Sequence, residues 1–454
     1  MKVLLIHPPI NERTLGTADF DLHEPLSLEY ISSGVNKFCD VKLLDMRLEN
    51  RLEESLKEFD PNIVGMTAYT VDVNTVKRIL KKVKEFNEKI LTVVGGHHAT
   101  VKPEDFFDKD IDLIVIGEGV FTFKEIVEKF ETGKDFREIK GIAIREGEKL
   151  YKTTPRAYTK LDDLPLPQRS LTSHIRHNYF HLWMKPFASM RTSLGCTFRC
   201  NFCAPWRITE GKYLTRDQNL VLKELLTIKE ENVFFADDDS LWDKDRMIKL
   251  GELIKEAGIK KKYFLFARAD EVANYPELVE KWKEIGLSQV FVGFESYRDE
   301  DLKFFKKGCS ISVNEEAIRI LKENDISIYA QFIIRPDYDK KNFMELRDYV
   351  RRLKLVNPTF TVLTPFPGTT LYETTNSQII THDYDIYDMM HTVLPTKLSL
   401  IEFYSEYANL YKRAVPFGEG ILDLFKYYPI KEIIPTLRNY VKFTCALRDA
   451  YKDY

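Results

Sequence analysis

The sequence predicts an α/β protein in three parts: a Rossmann-like doubly wound domain, a partial (β/α)6 barrel and a helical C-terminal segment. Three observations carry this. Short apolar runs alternate with helix-period stretches over residues 1–130. A second alternation runs from Phe187 to about Leu371, beyond the Pro-spaced, non-periodic stretch Leu161–Gln168. From Thr396 onward the periodicity is helical.

In the first part, strands are expected at 3–6, 41–45, 63–67, 91–96 and 113–117, with helices over 26–38, 51–59 and 73–86. The last of these carries Val76, Ile79, Leu80 and Val83 on one face. Residues 141–152 read as a hairpin turning at Glu146-Gly147-Glu148. The second part has six candidate strands, at 188–194, 232–236, 263–267, 289–293, 328–334 and 359–364. Eight βα repeats need about 250 residues, so this barrel is incomplete. The expected divisions are 1–140, a hairpin and linker at 141–185, a barrel at 186–395 and a helical domain at 396–454. In parallel sheets of both kinds, ligands gather at the carboxyl ends of the strands.

Composition narrows the function. Of 454 residues, 44% are hydrophobic and 30% charged, a globular balance. Lys and Arg number 67 against 70 Asp and Glu, a net charge of −3, so no nucleic-acid partner is expected. No apolar run reaches the ~18 residues of a membrane-spanning helix. The start MKVLLIHPPINER lacks a signal-peptide layout, so a cytoplasmic protein is expected. Six cysteines are too few for a disulfide scaffold.

Three of those six fall in Gly195-Cys196-Thr197-Phe198-Arg199-Cys200-Asn201-Phe202-Cys203, a C-x3-C-x2-C loop directly after a candidate strand. Three thiolates on one loop can wrap a soft metal centre. A structural zinc needs a fourth ligand, which Cys309 or His181 would have to supply. A cubane [4Fe–4S] cluster held by three cysteines instead keeps one iron open to an external ligand.

The loop, its place after the first barrel strand, and Phe202 before the last cysteine resemble the radical S-adenosylmethionine (SAM) enzymes. The resemblance implies that Cys196, Cys200 and Cys203 hold a [4Fe–4S] cluster and that SAM chelates its open iron. It also implies reductive cleavage of SAM to a 5′-deoxyadenosyl radical, with electrons from a donor such as a flavodoxin or ferredoxin. Strand ends downstream match the family. Asp237 or Asp238 is expected on SAM's ammonium, with Asp239 capping the next helix; Arg268 suits SAM's carboxylate or a salt bridge, and Glu295 a ribose hydroxyl or an ion pair. Phe202 belongs to the same SAM-facing set. Arg335 stands where relatives have Gly-Phe-Pro; it could clamp an anionic substrate group or pair with Asp337.

Residues 1–130 look like the cobalamin-binding domain of one large radical SAM class, through His7-Pro8-Pro9, Thr67-Ala68-Tyr69-Thr70, Gly95-Gly96-His97-His98 and Gly117-Glu118-Gly119. The resemblance implies cobalamin against Thr67, Thr70, Gly95, Gly96 and Glu118. The Asp-x-His-x-x-Gly loop is absent, Asp45-Met46-Arg47-Leu48-Glu49 standing in its place, so no imidazole from that loop is expected on cobalt. A domain that keeps this fold without its corrin, and a metal- or cobalamin-sensing module, are the rival readings.

Ser399-Leu400-Ile401-Glu402 is a capping box that starts a helix with Phe403, Tyr404, Tyr407 and Tyr411 on one face. Residues 397–454 hold 12 aromatics and a net charge of +2. Such helices can cap the barrel, wall an apolar channel or lie on a membrane surface. The stretch from Leu394 to Tyr404 is similar to a subgroup associated with hopanoid and tetraether-lipid modification. The substrate expected is a small molecule, apolar and lipid-like, with a polar or anionic head.

Overall fold

The computed structural model describes residues 1–16, 19–158 and 160–454. The first sheet has parallel strands β1 (Lys2–His7), β2 (Asp40–Asp45), β3 (Ile63–Thr67), β4 (Leu91–Gly95) and β5 (Leu113–Val115), in the order β2-β1-β3-β4-β5. These strands are buried on both faces, as their unbroken apolar runs require. The hairpin β6 (Ile142–Glu146) and β7 (Lys149–Lys152) continues the same sheet, antiparallel to β5. It was expected in the linker after residue 140. Ile142 and Ala143 are instead buried in the first domain's cores, so the domain extends to Lys152.

The barrel strands are β8 (Phe187–Met190), β9 (Asn232–Phe235), β10 (Lys262–Ala267), β11 (Leu287–Glu295), β12 (Ser327–Ile334) and β13 (Asn357–Val362), parallel and in sequence order. Phe187, Phe234, Phe264, Phe266, Phe291 and Tyr329 gather in one cluster inside the barrel. Phe234 stacks on Phe264 at 5.0 Å.

The helix Leu400–Ala414 is a barrel cap. Its Phe403, Tyr404, Tyr407 and Tyr411 are buried, and the Tyr407 and Tyr411 hydroxyls donate to the Phe360 carbonyl on β13 at 2.5 and 2.8 Å. The next two helices, Phe417–Tyr427 and Ile430–Asp449, turn apolar side chains outward: Phe417, Leu422, Phe425, Ile430, Ile434, Leu437 and Val441 are all exposed. Among the described residues no helix is long and apolar enough to cross a membrane.

The stretch after the hairpin packs closely rather than dangling. Gln168 Oε1 accepts from Ser32 Oγ at 2.7 Å and Asn36 Nδ2 at 2.9 Å on the first helix, Leu26–Val35. Beside it runs a buried ionic seam. Glu24 accepts the Ser189 N–H from β8 and pairs with Arg176 at 2.5 Å. Arg169 pairs with Glu224 at 2.8 Å and donates to the Ser189 carbonyl at 2.6 Å, while Arg216 pairs with Glu224. Burial, then the neighbouring Glu24, pushes the Glu29 carboxyl well above the usual range, and Thr172 donates to it at 2.6 Å. Removing one member strands its partners as buried charges. Glu24→Ala is therefore expected to cost about 3–5 kcal/mol, read as a lower thermal midpoint of the full chain, whereas the exposed Glu54→Ala leaves the midpoint unchanged.

Candidate functional site

The cysteine loop leaves β8 through a short ribbon that pairs Ser193 and Leu194 with Thr215 and Leu214. Gly195 has φ +93°, and a Cβ there would stand 2.1 Å from the Lys212 carbonyl, so only glycine fits. Two acids at the end of β9 hold the loop. Asp237 accepts the N–H groups of Thr192 and Ser193 at 2.7 and 2.9 Å and the Thr192 hydroxyl at 2.5 Å. Asp238 accepts the Gly195 N–H at 2.7 Å. Trp206 Nε1 donates to the Cys200 carbonyl at 2.9 Å, and Asn201 joins the loop to the Phe304 carbonyl and the Leu371 N–H, both at 2.8 Å. The loop is thus rigid before any metal binds.

Cys200 is buried and Cys196 and Cys203 half-buried, all with free thiols. Burial pushes the Cys196 thiol up to about 12 and Cys203 well above its ordinary value, each raised further by neighbouring thiols. Cys196 and Cys203, whose thiols resist ionisation, suit a cationic centre that would deprotonate them. Arg268 Nη1 lies 4.0 Å from Cys200 Sγ, and Lys307 adds positive charge near Cys203. Neither proposed fourth zinc donor is grouped with the triplet: Cys309 donates to Asn314 Oδ1 at 3.3 Å, and His181 stacks on Phe264 at 4.4 Å inside the barrel. The loop is therefore a three-thiol site, as a [4Fe–4S] cluster with one open iron needs.

The SAM-side residues sort differently from expectation. Asp237 is spent on the loop, and one Asp238 oxygen has no partner among the described residues. Asp239 is not a helix cap; Asp243 caps Lys244–Glu256. Instead both Asp239 carboxylate oxygens are buried without a partner among the described residues. Burial raises Asp239 to about 6, and burial with the charge of Asp239 raises Glu271 to about 10. Arg268 forks onto Asp270 at 2.9 and 3.1 Å, donates to the Lys307 carbonyl at 2.6 Å and stacks 3.3 Å from the Phe198 ring centre. Glu295 pairs with buried Lys307 at 2.8 Å from a backbone at φ +65°. Phe202 packs edge-on to Phe305 and lines the chamber described next. Arg335 does not reach that chamber. It forks onto Asp337 at 3.0 and 2.6 Å, reaches Asp301 at 3.0 Å and lies over Phe304, so it is held in a structural ion-pair network away from the chamber.

Between the two sheets lies a chamber of about 600 Å³, walled by His7, Arg47, Thr70, Phe202, Phe234 and Phe366 among others. A second cavity of about 230 Å³ runs down the strand ends of the first domain past Gly65, Gly95, Gly117 and Glu118. Ser27, Thr67, Tyr69, His97, Arg191 and Ile208 line both, so the two share a wall built from both domains. A broad chamber with a narrower slot beneath matches a flat macrocycle carrying a nucleotide tail. Gly96, at φ +104°, is held by its own turn, where a Cβ would stand 2.7 Å from Thr67 Oγ1. Thr70 is bonded to His98 at 3.1 Å, and Glu118 caps the helix after it through the Val120 N–H at 2.6 Å. Sequence reasoning missed Tyr69, Lys307 and Arg191. Arg191 ends β8 five residues before Cys196, and its Nε is buried without a partner among the described residues. That spacing was the available signal.

A strand-end thiol loop on a six-stranded barrel, facing a strand-end cavity in a doubly wound domain, is the layout of an enzyme that brings SAM and a corrin together. Residues 14–127 match the B12 binding domain model and residues 190–370 the radical SAM superfamily model. The chain is 31% identical over 426 residues to the hopanoid C-3 methylase of Methylococcus capsulatus, covering 91% of this chain and 81% of that one. It is 27% identical to the anaerobic magnesium-protoporphyrin IX monomethyl ester cyclase of Cereibacter sphaeroides, covering 91% and 70%. The solved cobalamin-dependent SAM radical enzyme OxsB, with aqua-cobalamin and SAM bound, superposes with TM-score 0.73 at 17% identity, covering 99% of this chain and 72% of that chain. The chain belongs to the cobalamin-binding class of radical SAM enzymes, and its cofactors are a [4Fe–4S] cluster, SAM and cobalamin.

Ser27 opens the helix Leu26–Val35 with its side chain exposed to both cavities. Ser27→Trp is expected to fill the shared opening and weaken hydroxocobalamin binding at least about tenfold, or ~1.4 kcal/mol. Absorbance titration measures it, with iron content unchanged as the folding control.

Proposed function

We propose that this enzyme transfers a methyl group to an unactivated carbon of an apolar, lipid-like substrate. The observation that carries the reading is a third cavity of about 370 Å³, walled by Phe20, Tyr329, Pro358, Tyr411, Leu424 and Phe443. It lies between the amino ends of the last barrel strands and the C-terminal helices, and Phe417, Ile421 and Leu437 of the outward apolar face form part of its wall. Asp21 lines both this cavity and the chamber. The cavity wall is mostly apolar, and each CH₂ buried against it contributes about 0.8 kcal/mol. The 31% identity to a hopanoid methylase supports the same class.

Cys196, Cys200 and Cys203 would hold the cluster. Asp239, whose carboxylate lies against the Glu271 carboxyl and not the loop, suits SAM's ammonium better than Asp237, which is spent on loop N–H groups; Asp238 and Phe202 belong to the same SAM-side set. Arg268 and the Glu295–Lys307 pair set the charge around the thiolates. Thr67, Thr70, Gly95, Gly96 and Glu118 would wall the cobalamin. When bound, the three cofactors supply hydrogen abstraction and a transferable methyl group. The chain's own residues hold them on opposite sides of one chamber and keep its walls largely apolar. Reconstituted anaerobically, the protein should hold about four iron per chain and release 5′-deoxyadenosine on reduction. The triple Cys196→Ala, Cys200→Ala, Cys203→Ala variant should do neither; equal release by the variant refutes the cysteine assignment.

The two helices with the exposed apolar face carry five Lys/Arg against four Asp/Glu, a weakly basic, strongly apolar surface of the kind that lies on a lipid interface. The full chain is expected to co-float with anionic vesicles and less so at high salt. A Phe417→Ser, Phe425→Ser, Ile434→Ser variant should remain in solution. If the parent also stays behind, peripheral membrane contact is wrong.

A further inference from the structure

The floor of the chamber holds three side chains that neither the cluster, SAM nor cobalamin accounts for. The two-residue strand Asp21–Leu22 pairs antiparallel with Phe180–His181, bringing together segments about 160 positions apart in sequence. One ligand-capable atom from each of Asp21, His23 and His181 then lies within 4.8 Å of the other two. His181 is 2% exposed, and neither of its ring nitrogens has a partner among the described residues; His23 Nε2 is likewise buried and unpartnered. Aromatic packing surrounds these rings: His181 is stacked on Phe264 at 4.4 Å, and His23 meets Phe234 edge-to-face at 5.1 Å. It does not satisfy their ring nitrogens, which buried imidazoles otherwise give to a hydrogen bond or a metal.

We infer that Asp21, His23 and His181 bind one divalent transition-metal ion, zinc or a metal of similar preference, at the floor of the reaction chamber. Two imidazoles and one carboxylate are a known three-ligand set for such ions. Metal–ligand bonds of about 2.0–2.1 Å place tetrahedral ligand atoms roughly 3.4 Å apart, so the observed grouping needs only small side-chain rotations. The Gln289 carboxamide lies beside His181, its Oε1 also unpartnered, ready to take the ring N–H that a ligating histidine turns away from the metal. Three protein ligands leave a fourth position open, the mark of a site that takes an exogenous ligand. Asp21 and His23 line the chamber, so the open position faces the substrate space. The ligand it would take is an oxygen function, a hydroxyl or carbonyl, on an otherwise apolar molecule. This replaces Arg335 as the group that orients a polar substrate end. Metal binding itself does not rest on the lipid reading.

The test is metal analysis of holoenzyme carrying its full complement of iron and cobalamin, so that zinc cannot occupy an empty cysteine loop. Parent protein equilibrated with micromolar Zn²⁺ against a chromophoric competitor is expected to bind one ion per chain. His181→Phe, which keeps the stacking on Phe264, and His23→Gln should each weaken binding more than about a hundredfold, beyond the roughly 10–100-fold that loss of an outer-sphere partner costs, with iron and cobalamin contents unchanged. The triple cysteine-to-alanine variant should still bind its one zinc. The inference is overturned if the parent takes up no zinc, if the histidine variants bind it as tightly as the parent, or if they lose cobalamin while zinc binding is unaffected.

Discussion

The geometry of this enzyme depends on a buried set of charges at the seam between its two sheets. Glu24, Arg216 and Glu224 are buried, and Arg169 and Arg176 are largely withdrawn from water. Such groups are tolerable only if each finds a partner at close range, so their relative positions are tightly prescribed. The seam includes backbone groups of β8 and runs beside the helix Leu26–Val35. β8 leads into Arg191 and the cysteine loop, and the helix begins at Ser27 on the cavity wall. Fixing the seam therefore fixes the distance between the thiols and the cobalamin slot, on which any reaction between the two cofactors depends.

Carboxylates do two kinds of work around that chamber. Asp237 and Asp238 hold backbone N–H groups and so shape the loop that carries the cysteines. Asp239, one position further, holds no loop N–H and lies instead against the buried Glu271 carboxyl. The run of three acids looks uniform in sequence, but successive side chains leaving a strand end point in different directions. Positioning and binding are thus divided among neighbours. The same division separates Arg268, close to the cysteines, from Arg335, locked among Asp301, Asp337 and Phe304.

Much of the architecture was legible in sequence. Five parallel strands of the first sheet and six of the barrel lie where apolar runs placed them, because strands buried on two faces need such runs. Ser399 caps its helix through the Glu402 N–H, as local chemistry demands. The cysteine loop was legible because all three ligands lie within eight positions. What depended on distant partners was not. The β6–β7 hairpin looks like any exposed hairpin until its pairing with β5 is known. Glu295 could equally have met a ribose or a lysine, and Lys307, twelve residues on, decided it. Asp21, His23 and His181 share no local pattern, since a two-residue ribbon alone makes them neighbours.

Glu295 holds a backbone conformation, φ +65°, in which glycine is comfortable and glutamate is strained by roughly 1–3 kcal/mol. Replacing it with glycine would relax the chain at once, and a search for thermostable variants that scored backbone geometry alone would select the change. The same substitution would strand the ammonium of Lys307 in the interior beside the cysteines, uncompensated whenever the cluster is absent. Glu295 is therefore kept by the charge it pairs and not by its backbone, and the polypeptide needs that pairing most when it is empty. Backbone strain at a buried ion pair is thus a poor guide to stabilising substitutions, and directed evolution of this scaffold would do better to score charge compensation together with geometry.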